Sequence, residues 1–463
     1  MTTDTVSAAP SSGAAANPAT STSKTIRLEA PGTGIMDTWR AMGPGVAAAM
    51  TGIGASHIIH APTAGARYEY ALLWVIPFAY ILKYCCFEFA HRYTMVKGES
   101  VMEAYERIGK WPLWYLGFQG IANAFGIAGR TLGCAAMIWA AFPFLSLEVW
   151  AVAILVGTVA ILWLGQYSAV EAIVKVLIVV FAASCFIAFF LQAPNPADYM
   201  SRLLPTLPPI GAALLFGAMW GYFPTTTEVA PMQSNWAVDK GAGMVKVKRL
   251  RDEGYNVELA PNYMKNSFKL FKRDMNITYI ISMVTGIIFL IVGATVLYPK
   301  GLVPASREMG ATIASIYTDT FGAWIFPVII AGGVAALFST VFTYYDGQAR
   351  IVEECAVRLK KDWNTPKTRK FIYRAFQVFL TLAGIGIIYG LPRPVFVVQV
   401  ASVLALLFSP VIFWLTIQAI KRNFKTPEEL EFMPSPLMFG WAWAGTIGLA
   451  VISVYVLYMQ FFT

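Results

Sequence analysis

Charge is scarce in this chain. Asp, Glu, Lys and Arg make up 13% of its 463 residues, against 57% hydrophobic residues. A soluble domain carries about a quarter charged residues, so a water-soluble fold is excluded. Histidine is scarcer still: His57, His60 and His91 are the only three. The five cysteines (Cys85, Cys86, Cys134, Cys185 and Cys355) are odd in number, and no Cys-x-x-Cys spacing occurs. That pattern opposes a disulfide framework or a zinc ribbon, and the thiols read as reduced space-fillers. His-Glu-x-x-His, Gly-x-Ser-x-Gly and a phosphate-binding loop are also absent. No enzyme and no cofactor are expected, and without an ATP motif any work must be driven by a gradient.

Long apolar runs are abundant. A helix needs ~20 apolar residues to cross a hydrocarbon core. Eleven runs qualify, at 41–63, 69–94, 112–141, 147–165, 167–192, 208–234, 276–298, 311–344, 371–391, 394–419 and 436–461. The net charge of +9 does not point to nucleic acid once its distribution is considered. With the N-terminus in the cytoplasm, 27 of the 35 Lys and Arg residues fall on the inner side and 5 on the outer. Lys83, Arg130 and Lys175 lie within spans. This bias sets the expected topology, N-terminus inside and C-terminus outside, in a multi-pass protein of a plasma (inner) membrane. Residues 1–35, rich in Ala, Ser, Thr and Pro, read as a disordered cytoplasmic tail. The polar stretch 237–274 reads as a solvated inner loop. Residues 36–463 read as one transmembrane domain. Five spans (41–192) and five more (208–419) make two repeats of opposite insertion, because five is odd, and 436–461 is an additional helix.

Two apolar runs are interrupted at matching places in the two repeats. The first interruption is Gly52-Ile53-Gly54-Ala55-Ser56-His57, and the second is Gly221-Tyr222-Phe223-Pro224-Thr225-Thr226-Thr227. Hydrocarbon cannot hydrogen-bond a freed backbone, so a broken helix survives only against protein or a solute. Paired breaks mark a transporter's binding site. At the first, Gly52 and Gly54 permit close approach of a solute, with helix packing as the bland alternative. At the second, Pro224 donates no N–H. Thr225 and Glu228 fit a capping box for the following half-helix, which makes Glu228 a cap before it is a ligand. Trp220, Tyr222 and Phe223 would suit an organic solute better than a bare ion.

Several segments together resemble the Nramp metal-transporter family. These are Gly43-Pro44-Gly45, Ala64-Gly65-Ala66-Arg67-Tyr68 with Leu72-Leu73-Trp74, Gly217-Ala218 with Gln233-Ser234, Ser339-Thr340 with Gly347-Gln348, and Gln399-Val400 with Ser402 and Pro410. Glu171 matches an acidic position in the fifth span. The resemblance implies an all-α, LeuT-type fold with eleven transmembrane helices, broken first and sixth, working by alternating access. The binding motifs depart from it. Where the family usually has Asp-Pro-Gly-Asn this chain has Gly54-Ala55-Ser56-His57, and where it has Met-Pro-His this chain has Gly221-Tyr222-Phe223. Arg130 stands for acidic groups of the third span, and Glu228 for a sixth-span histidine.

Two readings of the cargo follow. Arg130, deep in an apolar run, costs roughly 3 kcal/mol or more to bury there and is a functional candidate by default. With the substrate positions Gly52, Gly54, Ser56, His57, Trp220, Gly221, Tyr222, Phe223, Thr225 and Gln399, it suits a small organic carboxylate. The alternative is a divalent metal held by His57, His60 and Gln399, since i, i+3 histidines on a helix share a face. His60 and Glu228 are further candidates for proton coupling or charge balance. Lys83 with Glu88, and Glu171 with Lys175, read as structural. The expected partners are a small molecule or ion, a coupling proton or sodium ion, and the lipid bilayer, for a monomer that binds no nucleic acid.

Overall fold

A computed structural model describes residues 24–41, 54–165 and 167–462, with the side chains of 39–41 and 167–175 outside that description. Gly52 therefore lies outside the described residues, as do the side chains of Glu171 and Lys175. A strand β1 (Thr25–Leu28) and a short helix α1 (Ile35–Ala41) open the described chain. A π-helical turn at Ser56–His60 then runs straight into α2 (Ala61–Tyr68). Next come α3 (Val75–Lys97), α4 (Val101–Ile108), α5 (Trp111–Ala122), α6 (Ala124–Ala141), α7 (Leu147–Leu164) and α8 (Tyr167–Gln192). The second half holds α9 (Ala213–Tyr222), α10 (Val229–Asp239), α11 (Met244–Asp252), strand β2 (Asn256–Leu259) and α12 (Tyr263–Val296). It ends with α13 (Met309–Phe321), α14 (Phe326–Leu359), α15 (Pro366–Gly390), α16 (Pro394–Asn423) and α17 (Pro436–Phe462).

Among the described residues, seven helical stretches are long and apolar enough to cross a bilayer, and they correspond to the expected third, fourth and seventh to eleventh spans. The fifth bends by 118° into a short segment at Pro196–Leu203. The second is α3, whose 23 residues would also reach across but carry Lys83, Glu88, Arg92 and Lys97. The sixth is broken into α9 and α10.

Three expectations need correction. The eighth span does not run from 311: Gly322, at φ +88°, stops α13, and the crossing helix starts at Phe326. Left-handed backbone of this kind ends a helix, and glycine adopts it without a steric penalty. The stretch 237–274 is not a bare loop, because α11, β2 and the first turns of α12 lie in it. The tail is not disordered through residue 35. β1 pairs in parallel with β2, Thr25 opposite Asn256 through Leu28 opposite Leu259. Its one buried residue, Leu28, joins Val247, Val257 and Tyr263 in a small satellite core. Asn266 donates to the Pro31 carbonyl at 2.9 Å, and Arg273 to that of Thr33. This two-stranded ribbon is the one sheet among the described residues of an otherwise helical chain.

The core is built from α2, α6, α9, α12, α14 and α16. α9 packs on α16, α2 on α12, and α6 on both α14 and α16. All five cysteines are buried and free, filling space as expected.

Candidate substrate site at the two helix breaks

α9 ends at Tyr222 and α10 begins at Val229, so the second interruption is real and lies where Pro224 stands. Pro224 removes one donor, and the turn removes others. The freed groups are satisfied by protein. Lys83 Nζ on α3 donates to the Gly221 carbonyl at 2.8 Å and to the Thr225 carbonyl at 3.2 Å. The capping box expected here does not form. Glu228 occupies the cap position of α10 with no side-chain cap bond. The Thr225 and Thr226 hydroxyls turn instead to the Tyr344 hydroxyl of α14, at 3.0 and 2.7 Å. The tertiary partner outcompetes the local one. Gly221 is required because a Cβ there would overlap the Ser402 carbonyl of α16.

At the first interruption a Cβ on Gly54 would overlap the Thr340 hydroxyl, so close helix packing alone accounts for that glycine. The next residues form a π-helix, which bonds i to i+5 and holds more residues per turn than the 3.6 of an α-helix. His57 and His60 are consequently splayed and do not share a face. His57 points to α12, with Nε2 donating to the Ser282 carbonyl at 2.8 Å and Nδ1 facing the Ser56 hydroxyl at 2.9 Å. His60 points to α16, with Nε2 at 2.8 Å from the Ser402 hydroxyl. Ser402 spends its own proton on the Val398 carbonyl at 2.6 Å, so His60 Nε2 is the donor. His60 Nδ1 then has no hydrogen-bond partner among the described residues.

The rings at the second break close the space between the histidines. Phe223 meets His57 edge-on at 5.0 Å, and Tyr222 lies 5.6 Å from His60. Trp220 is buried against Trp74 and Phe216. Arg130 on α6 lies between two tyrosines, 4.6 Å from the Tyr222 ring centre and 3.6 Å from that of Tyr344. It is 1% exposed, and its Nε and Nη1 have no hydrogen-bond partner among the described residues. Glu228 and His60 are within its electrostatic reach. Glu228 Oε2, the Tyr222 hydroxyl and Trp220 Nε1 are likewise buried and without partners among the described residues.

Of the expected site residues, His57 meets Phe223, Tyr222 meets both His60 and Arg130, and Lys83 ties Gly221 to Thr225, while Glu228 lies within electrostatic reach of Arg130 and Trp220 packs on Trp74 and Phe216. Gln399 is buried on α16 one turn before Ser402, but no hydrogen bond ties it to either histidine. No group of three or more His, Cys, Asp or Glu side chains able to hold a metal exists among the described residues. Three contributors carried no signal in the sequence, Tyr80, Ser282 and Tyr344, and Ser402 entered only with the family resemblance. Lys83 was visible as a charged residue inside an apolar run and read with Glu88 as structural, and its place at the break was not legible.

A broken helix, α9–α10, set beside the π-turn that leads into α2 and wrapped by long apolar helices, fits the LeuT-type class of membrane transporters. Solved structures of that class are similar to this one. The manganese transporter of Eremococcus coleocola, in complex with an aromatic bis-isothiourea compound, superposes with a TM-score of 0.67 at 14% identity, covering 94% of this chain and 89% of that one. MhsT in complex with L-phenylalanine gives 0.58 at 15%, over 91% and 98% of the two chains. The nucleobase-cation symporter Mhp1 gives 0.54 at 14%, over 90% of each. Residues 45–459 match the model of the natural resistance-associated macrophage protein-like family, and the chain belongs to that family, Nramp. A curated relative, the uncharacterized protein PM0681 of Pasteurella multocida, is 26% identical over 405 residues, 83% of this chain and 87% of its own length. The family's members are multi-pass transporters of ions or small molecules in a lipid bilayer, not enzymes.

Proposed function

We propose that this transporter carries a small organic carboxylate by alternating access, driven by a gradient, with Arg130 as the group that receives the carboxylate. One observation carries the reading: a buried guanidinium sandwiched between Tyr222 and Tyr344, with Nε and Nη1 left unpaired. The rings hold the cation by its faces, and among the described residues nothing accepts from Nε or Nη1, which leaves charged donors for a carboxylate oxygen. Trp220, Tyr222 and Phe223 supply apolar surface for the rest of the solute. MhsT, similar in fold, was crystallised with L-phenylalanine, a carboxylate with an aromatic part, and this supports such a cargo on such a scaffold.

The metal alternative fits less well. His57 has both ring nitrogens engaged, and His60 faces another helix. A divalent ion would also sit beside two fixed cations, Arg130 and Lys83, where Coulomb repulsion is weakly screened. Gly54 stands where the family's motif has its carboxylate, and Gly221 where it has its thioether. The chain functions as a monomer with its N-terminus in the cytoplasm.

Reconstituted liposomes test the assignment. Uptake of radiolabelled carboxylates, amino acids included, should be saturable and weakened roughly 10- to 100-fold in apparent affinity by Arg130→Ala, from the ~1.5–3 kcal/mol of a charge-assisted bond. Saturable manganese uptake that His57→Ala abolishes would overturn it.

A further inference from the structure

The second break is already occupied by a cation, and that cation is covalently part of the chain. Lys83 is 0% exposed. Its Nζ lies between two carbonyls of the interrupted segment, 2.8 Å from Gly221 and 3.2 Å from Thr225. In a continuous helix the Gly221 carbonyl would accept from the backbone four residues on, at Thr225. The break releases that acceptor. Glu228, in the same segment, is within electrostatic reach of the ammonium, and Cys86 lies one turn away on the same helix. In broken-helix transporters the unwound carbonyls are the groups that coordinate a coupling cation.

Helix α3 also reaches the first break. Tyr80, one turn before Lys83, donates or accepts at 2.6 Å with the Ser282 hydroxyl, which lies 3.3 Å from His57 Nε2. Helix α3 is therefore stitched to the π-turn through a phenol and to the second break through an ammonium.

We infer that Lys83 is a tethered coupling cation. Its ammonium fills the carbonyl site of the second break, so the protein completes that site without recruiting sodium or potassium. An ammonium on a stem bonds carbonyls as a free monovalent cation does, and Glu228 of the same segment is within electrostatic reach of it. The cation cannot be released to either side of the membrane, so the break cannot harvest a sodium gradient. This rests on the transporter class and on α9–α10, and it does not depend on what Arg130 binds.

Thermal unfolding of the purified full-length protein in detergent tests it without knowledge of the cargo. Sodium, potassium or ethylammonium chloride would each be titrated against choline chloride at constant ionic strength. The wild type should show the same transition in all four salts. Lys83→Ala should unfold several degrees lower in choline, and ethylammonium, and more weakly sodium, should restore the transition saturably, as a ligand specific for the folded state does. Lys83→Met, which fills the channel of the stem without a charge, should be lowered and should not respond. Saturable stabilisation of the wild type by sodium would overturn the inference, and this arm stands even if the alanine variant fails to fold. A lowered Lys83→Ala that ethylammonium leaves unchanged would equally overturn it, because a merely packed lysine predicts that result.

Discussion

Arg130, Lys83 and Glu228 set the chemistry at the scale of single residues. Two cations and one carboxylate, all buried, converge on one interrupted segment. Buried charges are retained where they are paired or functional, and here the pairing is with backbone carbonyls, tyrosine faces and one acid. A different logic governs Glu99 in the turn after α3. Burial alone would raise its carboxyl. Bonds from Arg107 at 3.0 Å and Tyr93 at 2.6 Å, with Lys248 nearby, outweigh that and hold it below the ordinary 4.5. A carboxyl depressed by folding stabilises the folded state above its unfolded pKa and loses that contribution as pH falls through the folded value. Wild type should therefore melt above Glu99→Gln by a constant margin at neutral pH. The margin should shrink below about pH 4.5, as followed by intrinsic fluorescence, and a margin that stays fixed into acid would refute the depression.

The elements show how far the sequence could be read. Pro224 with its aromatic neighbours announced the second break, because a missing N–H is a property of the residue itself. The partner of Thr225 was not legible, because a capping box is local while the Tyr344 hydroxyl comes from a helix more than a hundred residues away. The π-turn at Ser56–His60 was hidden for a similar reason: helical spacing assumes the commoner turn, and only packing against α12 and α16 reveals the wider one. Arg130 was legible as a lone charge in an apolar run, and its tyrosine sandwich was not. The ribbon of β1 and β2 went unseen because four residues of strand cannot be told from tail by composition. It gives a prediction of its own. Val257→Asp places a charge in the satellite core under Leu28, and trypsin should then cut after Lys24 or Arg27 several-fold faster than in wild type, with α12 intact. Equal cleavage rates would mean that the strand contributes no protection.

The whole molecule is polarised. One end carries a lattice of ion pairs: Arg358 with Glu103, Glu106 and Glu354, Arg369 with Glu353, Lys97 with Glu429, and Lys265 with Glu431. At the opposite end the pairs are sparse, among them Lys300 with Asp319 and Arg307 with Glu148. Exposed pairs add little stability individually. By the positive-inside rule, the end that bears their basic members is expected on the cytoplasmic side. A green fluorescent protein fused after Thr463 should accordingly stay dark in a bacterial inner membrane, and an alkaline phosphatase there should be active. The reverse pattern would invert the topology.

Strand β1 precedes the first repeat and pairs with the connector between the sixth and seventh spans, inside the second repeat. A group placed at Lys24 therefore sits where the lead-in to the first repeat is tied to the second. A fluorophore or affinity handle placed there would report on, or clamp, the relative rocking of the halves, which makes that address a lever and a poor choice for a neutral tag.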